Sequence, residues 1–521
     1  MSEPWVRFED EHLLAVAKPA GVNTHRADVH AQDGMYEWVQ RQRPQESLSV
    51  LHRLDKGTSG LLLFGKSQLA NRSLTSQFED RTVAKRYDLL VARDARRPDA
   101  LRSRLPLGGK VANTDFEREA TGTAVERFTA RPHTGRTHQL RAHAATLGMP
   151  ILGDVEFGGV DSARLFLHAA TLSIAHPVAG TVDLIADRPA SFDRVLDHRE
   201  PDGAADPSLA ALVAQEARAL LFDPADTNAY LWIDRHHDGF ADTRVERLGD
   251  VALVLTYGED NAPLSPAWLD AWNATVELRA IYQQRRPRRG DRGPARLVSG
   301  TAHDRFAVVE LGVRYLIDLQ ASATSSGLFL DQRETRRQLR SSDLSGRTVL
   351  NAFAHTGSLS VAAATAGAEV LTLDLSRRYL DWARDNLRVN DLDPADHDFI
   401  YGDAMEWLDR LARKGRTFDL VLVDPPSSST ARKKGAARWA VDRDLHDLVE
   451  RAAGVVAPTG TLFVSTNLHR MPWPRFIGHI ERGLAAAGRA GTVDTRTLSL
   501  DHRSGPGDPP YLKTAWISLN D

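Results

Sequence analysis

The second half of the chain alternates short apolar strands with helices, and this alternation constrains the fold more than any other feature. From residue 326 onward, segments such as RTVLNAFAHTGSLSVAAATAGAEVLTLDLS predict strand, helix and strand in succession. The apolar cores LTL, LVLV and LFV are short and uninterrupted, which is typical of parallel strands buried on both faces. We therefore expect residues 326–521 to form a doubly wound, Rossmann-like α/β sheet.

The first part of the chain, residues 1–198, lacks this alternation. WVRFEDEHLLAVAKPAGV predicts two strands around an acidic turn, and SGLLLFGKS and AKRYDLLVAR predict further strands. GRTHQLRAHAATLG has helical spacing that stops at Gly148. The pattern indicates an α+β domain with a mixed, mainly antiparallel sheet.

Residues 199–325 predict a linker followed by a small α+β domain. Asp206 and Pro207 form a helix-start signal, and a second helix is predicted over 265–284. The stretch RRPRRGDRGPAR at 285–296 carries six arginines and one aspartate. It predicts a basic loop suited to phosphates, or an adjustable linker between domains.

Composition limits the chemistry. The chain has 521 residues, a net charge of -3 and no cysteine, so we expect two or three domains and local rather than global attraction to polyanions. The lack of cysteine excludes disulfides, thiolate metal sites and cysteine nucleophiles, and we expect no metal. We see no secretory signal and no membrane span, and therefore expect a cytoplasmic protein.

Asp55 is the first candidate catalytic residue. In LHRLDKGTSGLLLFGKS it lies between Arg53 and Lys56, just before an apolar strand. Neighbouring cations keep a carboxylate ionised, and an ionised carboxylate is a competent nucleophile. Alone, such an aspartate is more often part of a salt-bridged surface turn, so the wider pattern has to decide.

That wider pattern is specific. The motif around Asp55, together with GRTHQLRAHAATLGMPILGD (135–154), closely resembles the RluA family of RNA pseudouridine synthases. Three supporting motifs follow the same order as in that family: KPAG (18–21), FEDRTVAKRY (78–87) and LHA (167–169). The resemblance implies a cofactor-free isomerase in which Asp55 either attacks or deprotonates the nucleotide.

The same resemblance assigns roles to four more residues. Tyr87 would stack on the target uracil, Leu140 would pack beneath it, and Arg53 would fill the gap left by the flipped uridine. Arg141 would pair with Asp55 and hold it charged and aimed. The whole isomerase expectation depends on that pair, while His138 and His143 are expected to be structural.

The second half carries a different chemistry. Gly357 is a single glycine where a dinucleotide fingerprint would show three, so a G-x-G-x-x-G motif is absent. Asp374 ends the next strand and is placed to accept hydrogen bonds from ribose hydroxyls. Asp403 ends a third strand, where it would face an adenine amine, and VLVDPPSSS ends a fourth. This ordered set resembles class I methyltransferases that bind S-adenosylmethionine.

Four motifs refine the resemblance: GLFLDQRETRR (327–337), NAFAHTGS, DLSRRYLDWARDNLRVN and VSTNLHR. They are similar to the RlmI/RlmK group of large-subunit ribosomal RNA methyltransferases, and DGFADTRVERLGD resembles the small domain that precedes the catalytic one there. The resemblance implies S-adenosylmethionine as cofactor. The implied cofactor-binding residues are Asn351, Phe353, Thr356, Gly357, Asp374, Asp403, Asp424, Pro425, Asp331 and Gln332.

The RlmK half, which methylates guanine N7, is the closer match. The RlmI branch needs a cysteine to make 5-methylcytosine, whereas this chain has none and carries Asn467 in the corresponding region. The family's aromatic residue after DPP is replaced by Ser427, Ser428 and Ser429, with Trp439 as a candidate substitute, and His355 replaces a commoner tyrosine. These departures leave the methylated base open.

The sequence thus predicts a bifunctional RNA-modifying enzyme acting on large-subunit (23S) ribosomal RNA, with no membrane and no obligate protein partner. Further basic residues for RNA contact are Arg102, Arg104, Lys110 and the stretch TARKKGAAR, although charge runs are often only solvated surface. Two alternatives stay open. The methyltransferase half is a silent RNA-docking module, or the whole chain is a non-catalytic ribosome-assembly factor.

Overall fold

The computed structural model describes most of the chain. The described residues are 3–28, 31–197, 206–240, 242–257, 264–287, 293–320, 325–428, 439–496, 498–502 and 511–520. Much of RRPRRGDRGPAR and all of TARKKGAAR therefore lie outside the described residues, and so does Ser429. Across the described ranges, we find no helix with the length and apolar character needed to cross a membrane.

A ten-stranded sheet organises the N-terminal domain, in the order β1-β2-β4-β9-β5-β8-β7-β6 with β3 beside β4 and β10 beside β9. The strands are β1 (Val6–Glu9), β2 (Leu13–Lys18), β3 (Ser49–Val50), β4 (Ser59–Gly65), β5 (Ala84–Ala92), β6 (Ala100–Ser103), β7 (Thr114–Thr121), β8 (Val125–Pro132), β9 (Leu167–Ala175) and β10 (Thr181–Ile185). The helices are α1 (Met35–Gln42), α2 (Gln68–Glu79), α3 (Gln139–Thr146) and α4 (Ala190–Asp197).

The predicted mixed, mainly antiparallel sheet is confirmed. Among the described strand pairs of this sheet, β4 and β9 are parallel and the others are antiparallel. Strand β4, SGLLLFG, is buried along its whole length, as its apolar run predicts. It carries the chain from the Asp55 loop into the centre of the domain.

The middle segment contains helices α5 (Pro207–Ala219) and α6 (Pro266–Thr275) around a five-stranded sheet and a hairpin. The strands are β11 (Ala229–Asp234), β12 (Thr243–Leu248), β13 (Val251–Tyr257), β14 (Ala280–Arg286), β15 (Arg296–Gly300), β16 (Phe306–Glu310) and β17 (Val313–Ile317). Asp206 caps α5 as predicted. The helix predicted over 265–284 is wrong in its second half, because IYQQRR pairs in parallel with β13 and forms β14.

The C-terminal domain is a seven-stranded sheet in the order β20-β19-β18-β21-β22-β24-β23. Its strands are β18 (Thr348–Ala352), β19 (Glu369–Asp374), β20 (Asp398–Tyr401), β21 (Phe418–Val423), β22 (Val456–Thr466), β23 (Gly491–Arg496) and β24 (Lys513–Leu519). The helices are α7 (Arg333–Ser341), α8 (Ser358–Thr365), α9 (Arg377–Arg388), α10 (Ala404–Arg413), α11 (Val441–Ala453) and α12 (Trp473–Ala486).

Strand order fixes where a ligand can enter this sheet. Strands β18 to β22 pair in parallel, and the order runs outward in opposite directions from β18 and β21. A crevice therefore opens between β18 and β21 at the carboxyl ends of the strands, where doubly wound sheets bind ligands. The predicted Rossmann-like fold is confirmed.

The N-terminal and middle parts share one apolar core. Trp5, Trp38 and Phe64 from the N-terminal domain pack in the same buried cluster as Trp232 and Trp272 from the middle segment. Burial of large aromatic rings is a strong source of packing energy. The two parts are therefore not independent units, although the sequence boundary at 198/199 remains a proposal.

Candidate active sites

The KPAG motif anchors the Asp55 loop. Lys18, at the end of β2, is fully buried, and its Nζ donates to the carbonyl oxygens of Val22 (2.7 Å) and Lys56 (3.3 Å). The backbone N–H of Gly21 also donates to the Lys56 carbonyl, at 2.8 Å. A buried ammonium needs such acceptors, and supplying them ties the loop to β2.

A second anchor holds the residue before Asp55. The Thr24 hydroxyl donates to the Leu54 carbonyl at 2.9 Å and accepts from the Leu54 N–H at 3.0 Å. Both residues are buried, whereas the Asp55 side chain keeps 34% of its surface exposed. The loop therefore presents one carboxylate from a fixed backbone, which is the pre-organisation that catalysis requires.

The structure brings Tyr87 and Leu140 to the same place. Leu140, on α3, is buried in an apolar cluster against which Tyr87, on β5, packs. Burial, followed by the charge of Asp55, raises the pKa of Tyr87 to about 12. The phenol is therefore neutral at physiological pH and lies close enough to Asp55 to feel its charge. Stacking of Tyr87 on a uracil stays a prediction.

The predicted Asp55–Arg141 pair is wrong. The Arg141 guanidinium pairs with Asp154 at 2.7 and 2.6 Å and with Glu156 at 2.7 Å, and these hydrogen bonds raise its pKa. Asp154 has 1% of its side chain exposed, and a buried carboxylate requires a close cation more than Asp55 does. Among the described residues, no ion pair joins Arg141 to Asp55.

His138 takes the position beside Asp55 instead. Its Nε2 lies 3.7 Å from Asp55 Oδ1. The residue has a left-handed backbone with φ 52° and stands immediately before α3. The sequence offered no specific signal for this contact, and the expectation that His138 is structural stays a prediction. Arg53 is exposed on the same loop.

The crevice of the C-terminal sheet begins with a tight turn after β18. Phe353, His355 and Gly357 have positive φ values of 62°, 51° and 75°. A Cβ on Gly357 would lie 2.5 Å from the Cβ of Ala383, so only glycine fits this approach to α9. Thr356 Oγ1 donates to the Gly327 carbonyl, which ties the turn to the GLFLDQR motif.

Asp374 holds that turn by hydrogen bonds, and Asn351 contacts the helix that follows it. Asp374 accepts from the backbone N–H groups of His355 and Ser376, each at 2.8 Å. Burial raises its pKa. Asn351 is buried and donates to Ser360 at 2.9 Å. Each carboxylate oxygen of Asp374 keeps a further lone pair, which leaves it able to accept from a ribose hydroxyl.

Asp403 has a different local role. It caps α10 by accepting from the N–H groups of Met405 (3.0 Å) and Glu406 (3.2 Å), and it is exposed. Capping explains its position after β20 without any ligand. A contact with an adenine amine therefore stays a prediction.

Asp424 ends β21 on the opposite side of the crevice, followed by buried Pro425. Burial raises the pKa of Asp424 to about 6, although it accepts from the Ser465 hydroxyl. Gln332 Nε2 donates to the same Ser465 oxygen at 3.4 Å, and the Tyr511 hydroxyl donates to Asp331 at 3.1 Å. Gln332 and Asp424 are thus linked through Ser465, with Asp331 beside Gln332 in the chain, and their role in cofactor binding stays a prediction.

A row of three aromatic rings borders the β18 turn and was not predicted. The His355 ring lies 4.9 Å from Phe329 and 4.2 Å from Tyr379. Burial lowers the pKa of His355 to about 4, so the ring is neutral at pH 7. Phe329 is 40% exposed, and an exposed ring beside a crevice offers a stacking surface for a base.

The region after DPP is polar where the RlmI/RlmK group carries an aromatic. Ser427 Oγ donates to Asn467 Oδ1 at 2.6 Å. Trp439 stands beyond this pair with its ring 6.3 Å from that of Phe353, inclined by 32°. Phe353 is on the β18 turn, so Trp439 lies next to the crevice. Within the described residues, no group of His, Asp and Glu is arranged to hold a metal ion.

Two family models match the two candidate sites. Residues 12–146 match the family described as RNA pseudouridylate synthase, and residues 262–479 match the S-adenosylmethionine-dependent methyltransferase family. The two matches lie in separate parts of the chain, one in the N-terminal part and one in the middle and C-terminal parts. The first match contains Asp55, Tyr87 and Leu140, and the second contains the β18 turn and Asp424.

Curated relatives match the C-terminal part. Ribosomal RNA large subunit methyltransferase K of Neisseria meningitidis is 37% identical over 33% of this chain and 48% of that protein. Ribosomal RNA large subunit methyltransferase K/L of Allochromatium vinosum is 39% identical over 35% of this chain and 25% of that protein. The chain thus spans half or less of these two relatives.

A third relative is covered more fully. The Bacillus subtilis protein YwbD, named as a candidate ribosomal RNA large subunit methyltransferase, is 28% identical over 58% of this chain and 78% of that protein. A solved Streptococcus mutans structure, described as that of a candidate S-adenosylmethionine-dependent methyltransferase, aligns with a TM-score of 0.54 at 22% identity, covering 67% of this chain and 88% of that one. The structural likeness supports the fold.

Proposed function

We propose that the chain is a bifunctional RNA-modifying enzyme, with a pseudouridine synthase site at Asp55 and a methyltransferase site in the β18–β21 crevice. One observation carries the proposal. A single chain places a pre-organised carboxylate beside Tyr87 in one domain and two acids, Asp374 and Asp424, on either side of a doubly wound crevice in the other.

At the first site, uridine is converted to pseudouridine. The bond between uracil N1 and ribose C1′ breaks, the base rotates, and C5 bonds to C1′. The proton lost from C5 is balanced by the proton gained at N1, so the isomerisation requires no cofactor. Asp55 attacks or deprotonates the nucleotide, Tyr87 stacks on the uracil, and Leu140 packs beneath it. Arg53, which is exposed on the loop, fills the gap left by the flipped base.

His138 supplies the basic partner that was expected from Arg141. Its Nε2, 3.7 Å from the Asp55 carboxylate, is close enough to help orient that side chain. Arg141 instead supports the site indirectly, because its pairing with Asp154 fixes the loop that follows α3. The isomerase proposal therefore rests on Asp55, Tyr87 and Leu140, and no longer on the Asp55–Arg141 pair.

At the second site, S-adenosylmethionine supplies a methyl group on a cationic sulfur. We propose that Asp374 accepts from the ribose of the cofactor, and that the β18 turn with Asn351, Phe353, Thr356 and Gly357 surrounds it. Asp403 is proposed to face the adenine. Asp424, Pro425, Asp331 and Gln332 are proposed to complete the cofactor site on the opposite side of the crevice.

Guanine N7 is the proposed target atom in large-subunit ribosomal RNA. Its lone pair bonds to the methyl carbon as the sulfur–carbon bond breaks, and no proton has to leave. Positioning then supplies most of the catalysis. The cysteine-dependent route to 5-methylcytosine is not available to a chain without cysteine. Carrying both sites on one chain lets one docking event serve two nucleotides.

Mapping of modified nucleosides tests the proposal directly. Ribosomal RNA from a strain that lacks the protein should lose one pseudouridine and one methylated guanine, and the wild-type gene should restore both. Loss of the pseudouridine alone would support the alternative in which the methyltransferase half is a silent RNA-docking domain. The serines after DPP favour that alternative. Loss of neither mark would leave only a ribosome-assembly role.

A further inference from the structure

Helix α7 of the methyltransferase domain is held by charged groups from other parts of the chain. Its Arg333 is fully buried and pairs with Glu310 (3.1 Å) and Asp501 (2.7 Å). Its Glu334, with 6% of the side chain exposed, pairs with Arg337 (3.5 Å) and with Arg41 (3.6 Å). Arg41 belongs to α1 of the pseudouridine synthase domain, so one domain supplies charge to the other.

Glu334 depends on these cations. Neither carboxylate oxygen has a hydrogen-bond partner among the described residues. Burial raises its pKa, but Arg337, Arg41 and Arg333 outweigh burial and leave the pKa below its ordinary value. Arg41 is itself oriented by an ion pair with Asp33, which is buried at the start of α1. Removing Arg41 would take away one of the two arginines that form ion pairs with the buried Glu334 carboxylate.

Glu334 lies next to residues of the proposed cofactor site. Asp331 and Gln332 occupy the turn that leads into α7. The Thr335 hydroxyl donates to the Gln332 side chain at 2.7 Å, and Gln332 donates to Ser465, which in turn donates to Asp424. A shift of the first turn of α7 would therefore reach Asp424 through a continuous hydrogen-bonded path.

A second contact from the same domain acts on the same helix. Gln32 donates to the carbonyl oxygens of Ser499 and His502. Between them, Asp501 is the partner of Arg333. The two contacts, one direct and one through Asp501, both restrain the first turn of α7.

We propose that Arg41 is a positioning residue of the methyltransferase site, through which the pseudouridine synthase domain sets the affinity for S-adenosylmethionine. This inference rests on the proposed function of the crevice. The arrangement gives the chain a physical reason to keep the two domains together: the second site is complete only when the first domain is docked.

The test compares full-length variants by calorimetric titration with S-adenosylhomocysteine and by steady-state methylation of ribosomal RNA. We expect Arg41→Ala to raise the Kd for S-adenosylhomocysteine and the KM for S-adenosylmethionine by about 5- to 20-fold, within the range of inter-site coupling energies. We expect kcat to change by less than about 2-fold and pseudouridine formation to be unaffected, because a positioning role concerns cofactor binding. Arg41→Lys, which keeps the charge, should restore most of the affinity.

Arg43 provides the matched control. It lies two residues further along, and its ion pairs are with Glu3, Glu9 and Glu46 of its own domain. Arg43→Ala should bind S-adenosylhomocysteine as the wild type does. Glu334→Gln should weaken binding like Arg41→Ala, and the double variant should be no weaker than the single ones, because the two residues act through one contact.

Three outcomes would overturn the inference. Arg41→Ala could bind with wild-type affinity, Arg41→Ala and Arg43→Ala could weaken binding equally, or Arg41→Ala could lose both activities together with its thermal stability. If the wild type itself bound no S-adenosylhomocysteine, the proposed function of the crevice would fail, and this inference with it. Wild-type binding that Arg41→Ala leaves intact would remove the inference alone.

Discussion

The acids of the two candidate sites differ in their exposure to solvent. Asp55 keeps 34% of its side chain exposed at the end of an anchored loop, whereas burial at the end of β21 raises the pKa of Asp424 to about 6. An acid that must react as an anion is served by water and a nearby basic group. An acid that lines a ligand crevice can be buried, because a hydrogen-bond donor or a cation on the ligand would favour its ionised form once the ligand binds. Substitutions at these acids and at their neighbours should make the difference measurable.

Replacing Asp55 should separate the two activities. Asp55→Ala should lower the rate of pseudouridine formation by at least about 10³-fold, as expected for loss of a group that acts directly on the substrate. Methyl transfer should continue at the wild-type rate, since Asp55 is remote from the crevice network. Tritium release from C5-labelled uridine in RNA measures the first activity, and methyl incorporation measures the second. Retained pseudouridine formation would remove Asp55 from the proposed mechanism.

Replacing Arg141 should affect the stability of the protein more than it affects catalysis. Arg141→Ala leaves Asp154 buried without its cation and should lower the free energy of unfolding by about 3 kcal/mol. Arg131→Ala is the matched control, since its pair with Glu117 is exposed on both sides and should cost less than about 1 kcal/mol. Denaturant unfolding gives both values. A stable Arg141→Ala protein that has lost only pseudouridine formation would favour the pair with Asp55 that the sequence predicted.

Asp424 should make stability depend on pH in a particular direction. Its folded pKa of about 6 lies above the ordinary aspartate value of 3.8, so the folded state holds this proton more tightly than the unfolded state. The cost of ionising it is absent below pH 3.8, grows as the pH rises, and is complete above pH 6. Asp424→Asn should therefore be more stable than the wild type by about 3 kcal/mol at pH 7.5, with a gap that closes toward pH 4. If the difference in stability between Asp424→Asn and the wild type did not change with pH, the pKa of Asp424 would not be raised by burial.

Tyr87 should contribute its ring and not its proton. Tyr87→Ala should reduce pseudouridine formation by about 10-fold through lost stacking on the base. Tyr87→Phe keeps the ring and should stay within about 3-fold of the wild type, because a phenol with a pKa of about 12 is already neutral at the assay pH. Similar losses in both variants would assign the hydroxyl a direct role instead.

Much of the fold followed from local patterns. The buried run of β4, the cap at Asp206 and the stop at Gly148 each appear where the sequence placed them. The predicted helix over 265–284 failed from 280 onward, where pairing with β13 overrides a helical pattern. Secondary structure that depends on a distant strand partner is not encoded in local spacing.

The sites were predictable to the extent that motifs encode them. The resemblance assigned Tyr87 and Leu140 to one site with Asp55, and the structure packs them in one cluster near Asp55, while Asp374 ends β19 and Asp424 follows β21. Their roles stay predictions. The aromatic row of Phe329, His355 and Tyr379 was missed because its members come from three separate motifs. Only the fold brings such motifs into contact.

By itself, the sequence determined most of the strands and helices, the motifs that match two families, and the acids near the ends of the strands, because these depend on spacing and side-chain type along the chain. The tertiary structure alone decided which charges meet. Arg141 pairs with Asp154 and not with Asp55, and Arg41 reaches across to Glu334. The reason is physical: the most deeply buried carboxylates most need a cation, and burial is a property of the packed molecule.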